Sequence, residues 1–371
     1  MQLVRIPTLV AVAGVVILTA RSDLFAASIY LQTNLASDVP GMAPNLDPNL
    51  KNPWGVSFTN TSPFWVSNQV TNTSTLYNGA GTPQALIVTT PPSPTGQVAN
   101  GTTDFLLSPG NPARFIFAGL SGTISGWNPT VAATSAVTEF TAPDGAVYTG
   151  LTMATVGTSN FLYAADSRNG KIDTLNGSFV RTNPAGSFID PALAPGFKPY
   201  NVQTIGNRVY VTYSIRDNPG GYVGIFDLTG GFIQQISDSH LDEPWGLTIA
   251  PAGFGSFGNA LLVGNEGDGM INGFDPVTGA WLGTISGASG PIVNDGLWAL
   301  EFRSSTSGFN ANALYFVAGI NDEKDGLFGT ITVAAVPEPG TVWTVGLAMV
   351  SLACITALRR RSQSSVSKPP M

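Results

Sequence analysis

The chain has 371 residues, a formal charge of −7, 43 glycines, 27 prolines and 43% hydrophobic residues, with only 11% charged. That much apolar sequence excludes Gly/Pro-rich disorder, and the low charge with abundant Val, Thr and Phe points to an all-β chain with many turns rather than to helices. The single cysteine, Cys354, lies near the C-terminus, so the body holds no disulfide, thiolate nucleophile or cysteine metal site.

The N-terminus reads as an export signal over residues 1–27. Arg5 precedes an apolar stretch at residues 9–20, and the small residues Ala26, Ala27 and Ser28 follow, which places cleavage near Ala26 or Ala27; an uncleaved anchor is the alternative. Between the two ends, residues 28–336 carry ten Lys and Arg against 21 Asp and Glu, a formal −11. A surface this acidic repels phosphates and anionic lipid, which excludes nucleic acid and lipid surfaces as partners by charge.

The body is repetitive. Phe64-Trp65-Val66, Phe115-Ile116-Phe117, Leu162-Tyr163-Ala164, Val209-Tyr210-Val211, Leu261-Leu262-Val263 and Tyr315-Phe316-Val317 form a column whose last members are 51, 47, 47, 52 and 54 residues apart. A period near 50 with one buried strand per unit is the signature of propeller blades, each a four-stranded antiparallel sheet. Upstream lie Pro53-Trp54-Gly55-Val56, Thr149-Gly150-Leu151, Pro199-Tyr200-Asn201-Val202, Pro244-Trp245-Gly246-Leu247 and Leu297-Trp298-Ala299-Leu300, which read as the innermost strand of each blade; the second blade shows a weak version near Phe105. Downstream, strings such as Ile225-Phe226-Asp227 and Ile271-Asn272-Gly273-Phe274-Asp275 end in turn residues. The expected fold is an all-β six-bladed β-propeller over residues 28–335. The alternating segment from Ser28 to Leu35 is expected to add a strand to the last blade and close the ring; otherwise it is a disordered stalk.

These strings resemble a family of uncharacterised bacterial proteins within the wider set of six-bladed propellers. The matches are the run from Asp47 to Gly55, Pro244-Trp245-Gly246-Leu247 with Leu261-Leu262-Val263-Gly264-Asn265 and Gly267-Asp268-Gly269, and Gly319-Ile320-Asn321-Asp322-Glu323 with Gly326-Leu327-Phe328-Gly329. The resemblance implies a propeller fold and surface attachment, with no reaction or ligand attached to it.

No nucleophile elbow, zinc-spaced histidines or phosphate-binding glycine loop occurs, and the sole histidine, His240, falls in an inter-blade loop. Oxygen ligands are plentiful at expected strand ends: Asn68, Asp166, Asn201, Asn265 and the cluster Asn321-Asp322-Glu323. Converging on one mouth of a channel, these could hold a ligand, and Asp322 with Glu323 could hold Ca²⁺. The competing reading is turn chemistry. Trp54, Trp245 and Trp298 recur at one phase, which indicates inter-blade packing first and a sugar-stacking channel second.

The C-terminal forty residues read as an address. Val336-Pro337-Glu338-Pro339-Gly340 leads into 18 uncharged residues, 341–358, and then Arg359-Arg360-Arg361. As a helix that run is roughly 27 Å long, enough for a transmembrane helix, and the arginines keep residues 362–371 as a cytoplasmic tail. The prolines hold Pro337-Glu338-Pro339 extended and accessible. The order of parts at residues 336–361 resembles the PEP-CTERM sorting signal, although ten residues follow the arginines. An ordinary C-terminal anchor is the alternative. The resemblance implies that an exosortase recognises and cleaves near Pro337, so that a membrane-anchored precursor becomes a cell-surface or matrix protein. Function is then a non-enzymatic module binding exopolysaccharide or another surface protein, or alternatively a metal-dependent hydrolase of the lactonase-like propeller type.

Overall fold

A computed structural model describes residues 28–183, 186–303 and 309–334; the expected signal peptide, the sorting motif and the 341–358 helix lie outside them. The described chain is a ring of six antiparallel sheets. Blades 1, 3, 4 and 5 each run in order from an inner strand outward, at Pro53–Ser57, Tyr148–Val156, Lys198–Ile205 and Pro244–Ile249 for the four inner strands. The column that set the period, Val66, Phe117, Ala164, Val211, Val263 and Val317, falls without exception on the second strand of its blade and is buried in all six. Sandwiched between two neighbouring sheets, these strands present no wet face, which is why they read as continuous apolar strings.

Blade 2 corrects one expectation. Its inner strand is Pro94–Ala99, not a segment near Phe105. Phe105 instead sits at φ 61° beside a small hairpin, Leu106–Ser108 with Asn111–Pro112, inserted before the second strand. The inner strand escaped notice because it is packed by polar groups and a missing side chain. The Thr95 hydroxyl donates to the Tyr148 carbonyl at 2.8 Å, and the Gln97 amide donates to the carbonyls of Gly55 and Trp65. Gly96 lies so close to blade 3 that a Cβ there would sit 2.3 Å from the Leu151 nitrogen.

The ring closes as the alternating N-terminal segment led us to expect. Tyr30–Ser37 pairs antiparallel with Leu327–Val333, adding the outer strand of blade 6, and a short strand at Asn45–Leu46 pairs with its end. Closure removes the unpaired edge. It is pinned at one end by the Ser37 hydroxyl on the Gly326 carbonyl (2.7 Å) and by Lys51 between Asp38 and Asp325, and at the other by the Tyr30 hydroxyl on the Phe254 carbonyl (3.0 Å). The third strand of blade 6 ends beside Ile29, to whose carbonyl the Ala334 amide donates at 2.7 Å. We call this the lower face; the upper face carries the loops that enter the inner strands.

Candidate functional site

Two phases of the repeat build the rim of the channel on the upper face. One lies at the entry to each inner strand: Asn52, Ser93, Val147, Glu243 and Gly296 just before it, and Lys198 as the first residue of its strand. The other lies at the exit of each second strand: Gln69, Leu120, Ser167, Glu266 and Gly319 just past it, and Ser214, which pairs with Lys198 within the ladder of blade 4. A backbone hydrogen bond joins the two phases in blade after blade, from Gln69 to Asn52 (3.0 Å), Leu120 to Ser93 (3.0 Å), Ser167 to Val147 (3.0 Å), Glu266 to Glu243 (3.0 Å) and Gly319 to Gly296 (2.7 Å). The repeat therefore fixes the rim backbone, leaving its side chains free to differ.

Below the rim, Trp54, Tyr200, Trp245 and Trp298 meet on the ring axis. Trp54 stacks on Trp298 at 3.7 Å and 17°, and meets Trp245 and Tyr200 edge-on at 6.3 and 6.4 Å. All four are buried, with Trp298 at 0% exposure, so the tryptophans pack chiefly against one another between blades. Trp298 donates its indole N–H to Asn52 Oδ1 (3.0 Å) and Trp245 to the Thr149 carbonyl (3.1 Å); the Trp54 indole N–H has no partner.

Over the blade 3 and 4 side of this plug opens a cavity of about 430 Å³. Trp54, Tyr200, Val147 and Ile215 give it apolar walls, Thr149, Ser167 and Ser214 supply hydroxyls, and its charged lining residues are Lys198 and Arg216. No carboxylate lines it, in a body of formal charge −11. The carboxylates stand across the mouth. Glu243 is held at φ 47° and 6% exposure, with one carboxylate oxygen buried and unpartnered. Burial, then Asp217 and Asp242, push its pKa up to about 7; burial, then Glu243 and Glu323, do the same for Glu266. Glu323 accepts from Asn52 Nδ2 at 2.9 Å and lies 3.6 Å from Arg216.

The sequence candidates scatter around this site. Asn68, Asp166, Asn201 and Asn265 are all 2% exposed or less. Asn68 donates to Thr73 and Thr75, Asp166 accepts from Val147 and Asn169, Asn201 donates to the Trp245 carbonyl, and Asn265 donates to the His240 carbonyl and Asp268. They serve turns and blade contacts. Three of them sit one residue before the rim, at Gln69, Ser167 and Glu266, so strand alternation turns them into the sheets. The Asn321-Asp322-Glu323 triple is split: Asn321 donates to Asp325, the Asp322 side chain is 88% exposed beside Lys324, and Glu323 alone reaches the mouth. His240 stacks on Trp281 at 3.9 Å with Nδ1 2.7 Å from Asp238. Among the described residues, the group of three carboxylates with ligand atoms within 4.8 Å is Asp144, Asp166 and Asp173. Lys171 and Arg181 bridge Asp144 and Asp173 there at 2.5–3.0 Å, which supplies the positive charge from within blade 3. Sequence reasoning missed Glu243, Glu266, Lys198 and Arg216; reading the residues at the exit of each buried second strand and at the entry to each inner strand would have found the first three.

The chain is 30% identical over 325 residues to the Uncharacterized protein R648 of Acanthamoeba polyphaga mimivirus, covering 80% of this chain and 78% of that protein. It is likewise 30% identical over 320 residues to the Uncharacterized protein L690 of the same virus, covering 78% and 82%. The chain belongs to this family. Residues 335–361 match the PEP-CTERM protein-sorting motif, which implies an exported protein with a membrane-anchored precursor and an exosortase as its processing partner. Among solved structures, the chain is similar to a protein of unknown function from Bacteroides thetaiotaomicron VPI-5482 (TM-score 0.53, 11% identity, 81% of this chain and 76% of that one) and to a streptogramin B lyase (TM-score 0.51, 10% identity, 84% and 100%). At such identities the likeness concerns the propeller fold. No helix among the described residues is long and apolar enough to cross a membrane.

Proposed function

We propose that the protein is an exosortase-processed bacterial surface propeller that binds, without transforming it, an anionic stretch of extracellular polysaccharide at the upper mouth. The observation that carries this reading is the lining of the 430 Å³ cavity: two cations and the hydroxyl residues Thr149, Ser167 and Ser214, with no carboxylate among them. Two cations in a wall without a carboxylate suit a ligand rich in acceptor oxygens, and a carboxylated sugar supplies the charge for Arg216 or Lys198. The acidic remainder of the surface then acts by exclusion, keeping anionic polymer away from every other part of the body.

Orientation supports the same reading. Ala334 ends the described chain at the lower face, three residues before Pro337, so a tether through the sorting motif leaves the upper mouth pointing away from the membrane. Isothermal titration with a polyuronate and with a neutral glucan tests the proposal. The polyuronate should bind and the glucan should not, and Lys198→Ala with Arg216→Ala should weaken the polyuronate at least tenfold, about 1.4 kcal/mol. Equal binding of both polymers, or a double variant that binds like the wild type, would sink it.

A further inference from the structure

The lower end of the channel carries a different chemistry, independent of the upper mouth. Three residues past each plug position, the inner strands of blades 1, 3, 4 and 6 place Ser57, Thr152, Gln203 and Glu301 at one level, and all four line a lower cavity of about 210 Å³. Gln203 and Glu301 also line the narrow part of the channel above it, beneath the Trp245 plug. Every polar group at this level offers oxygen. The Ser57 hydroxyl is in a residue 8% exposed and has no partner, and Gln203 makes no side-chain hydrogen bond among the described residues.

Glu301 is the one ionisable residue lining that cavity. The cation nearest in sequence, Arg303, is committed elsewhere: its guanidinium packs 3.7 Å from the centre of the Phe309 ring and 4.8 Å from that of Phe58, and donates to the carbonyls of Thr59 and Ser62 at 3.1 and 2.5 Å. Among the described residues no charged group pairs with the Glu301 carboxylate, and burial pushes its pKa up to about 8. A carboxylate so placed stays protonated at neutral pH or takes its positive charge from outside.

We infer that the lower end of the channel is a cation site, in which the Glu301 carboxylate, the Gln203 amide oxygen and the Ser57 hydroxyl take up a hard cation of the calcium type. One carboxylate among neutral oxygens makes a weak site, of the order of 10⁻⁴–10⁻³ M, which suits an extracellular module. The cation displaces the Glu301 proton into solvent, so its affinity tracks the ionised fraction of that group.

Thermal unfolding of the purified full-length chain with calcium chloride alone tests the inference. Calcium should raise Tm at pH 9, and its apparent Kd should be about 100-fold weaker at pH 6, where roughly one site in a hundred is ionised. Glu301→Gln, which keeps the shape of the side chain, should abolish the calcium response, and Ser57→Ala should weaken it, while Arg216→Ala at the other mouth should leave it intact. A calcium response that persists in Glu301→Gln, that vanishes with Glu323→Gln instead, or that is absent from the wild type at pH 9 would overturn the assignment.

Discussion

The two halves of the ring solve the same axial problem with different side chains. At one phase of the inner strand, blades 1, 4, 5 and 6 carry Trp54, Tyr200, Trp245 and Trp298, whereas blades 2 and 3 carry Thr95 and Thr149. The aromatic half fills the axis and seals the channel. The threonine half cannot fill it, and the cavity opens on that side, with Thr149 in its wall. A repeat fold thus gains a pocket where one position in the repeat stops being large, while the backbone stays in phase.

Emptying the aromatic half should have the largest effect. Trp298 is fully buried, stacked on Trp54 and hydrogen-bonded to Asn52, so Trp298→Ala should cost about 3–5 kcal/mol. Thr95→Ala removes the buried hydrogen bond that the hydroxyl donates to the Tyr148 carbonyl (2.8 Å), the hydroxyl oxygen also lying 3.3 Å from the Ala118 carbonyl oxygen, and should cost about 1–2 kcal/mol. Denaturant unfolding of the two variants measures the gap. Equal losses would mean that the axis is not where the aromatic half stores its stability.

The same contrast explains what could be read from the sequence. Val66 and its five counterparts were legible because a strand buried on both faces must be apolar along its length. The closing strand at Tyr30–Ser37 was legible from its alternation. The inner strand of blade 2 was not, since Thr95, Gly96 and Gln97 bury themselves by hydrogen bonding and by lacking a side chain, which leaves no hydrophobic trace. The site was harder still. Glu243, Glu266 and Glu323 come from separate loops and meet only after six sheets have closed, and Asn68, Asp166 and Asn265 drew attention at a phase one residue short of the rim.

The difference between the donor-lined cavity and the acidic side of the mouth should make ligand binding pH-dependent. Glu243 and Glu266 have pKa values raised to about 7, and both lie within electrostatic reach of Tyr200 in the cavity wall. Below pH 7 they are largely neutral; above it they add two negative charges beside an anionic ligand. Affinity for a polyuronate should therefore fall as pH rises from 6 to 8, by about five- to tenfold at low salt, with proton uptake on binding above pH 7. Glu243→Gln with Glu266→Gln should flatten the profile. Titrations at several pH values check this, and an affinity that rises with pH would place the ligand elsewhere.

The smallest effect separates two neighbours in sequence. Asp322 and Glu323 both adopt left-handed backbone, at φ 55° and 61°, but their side chains part company. Asp322 faces solvent at 88% exposure and pairs with Lys324 at 3.1 Å, so Asp322→Asn, which keeps a residue tolerant of that backbone, should change stability by less than about 0.5 kcal/mol and leave binding alone. Glu323 lies between Asn52 and Arg216. Replacing it with Gln keeps an acceptor for the Asn52 amide and removes the charge that competes for Arg216, so Glu323→Gln should tighten polyuronate binding about two- to threefold at little cost in stability. If the two variants bind alike, Arg216 is not held by Glu323 in solution, and the acidic side of the mouth acts on the ligand through its overall field rather than through that one contact.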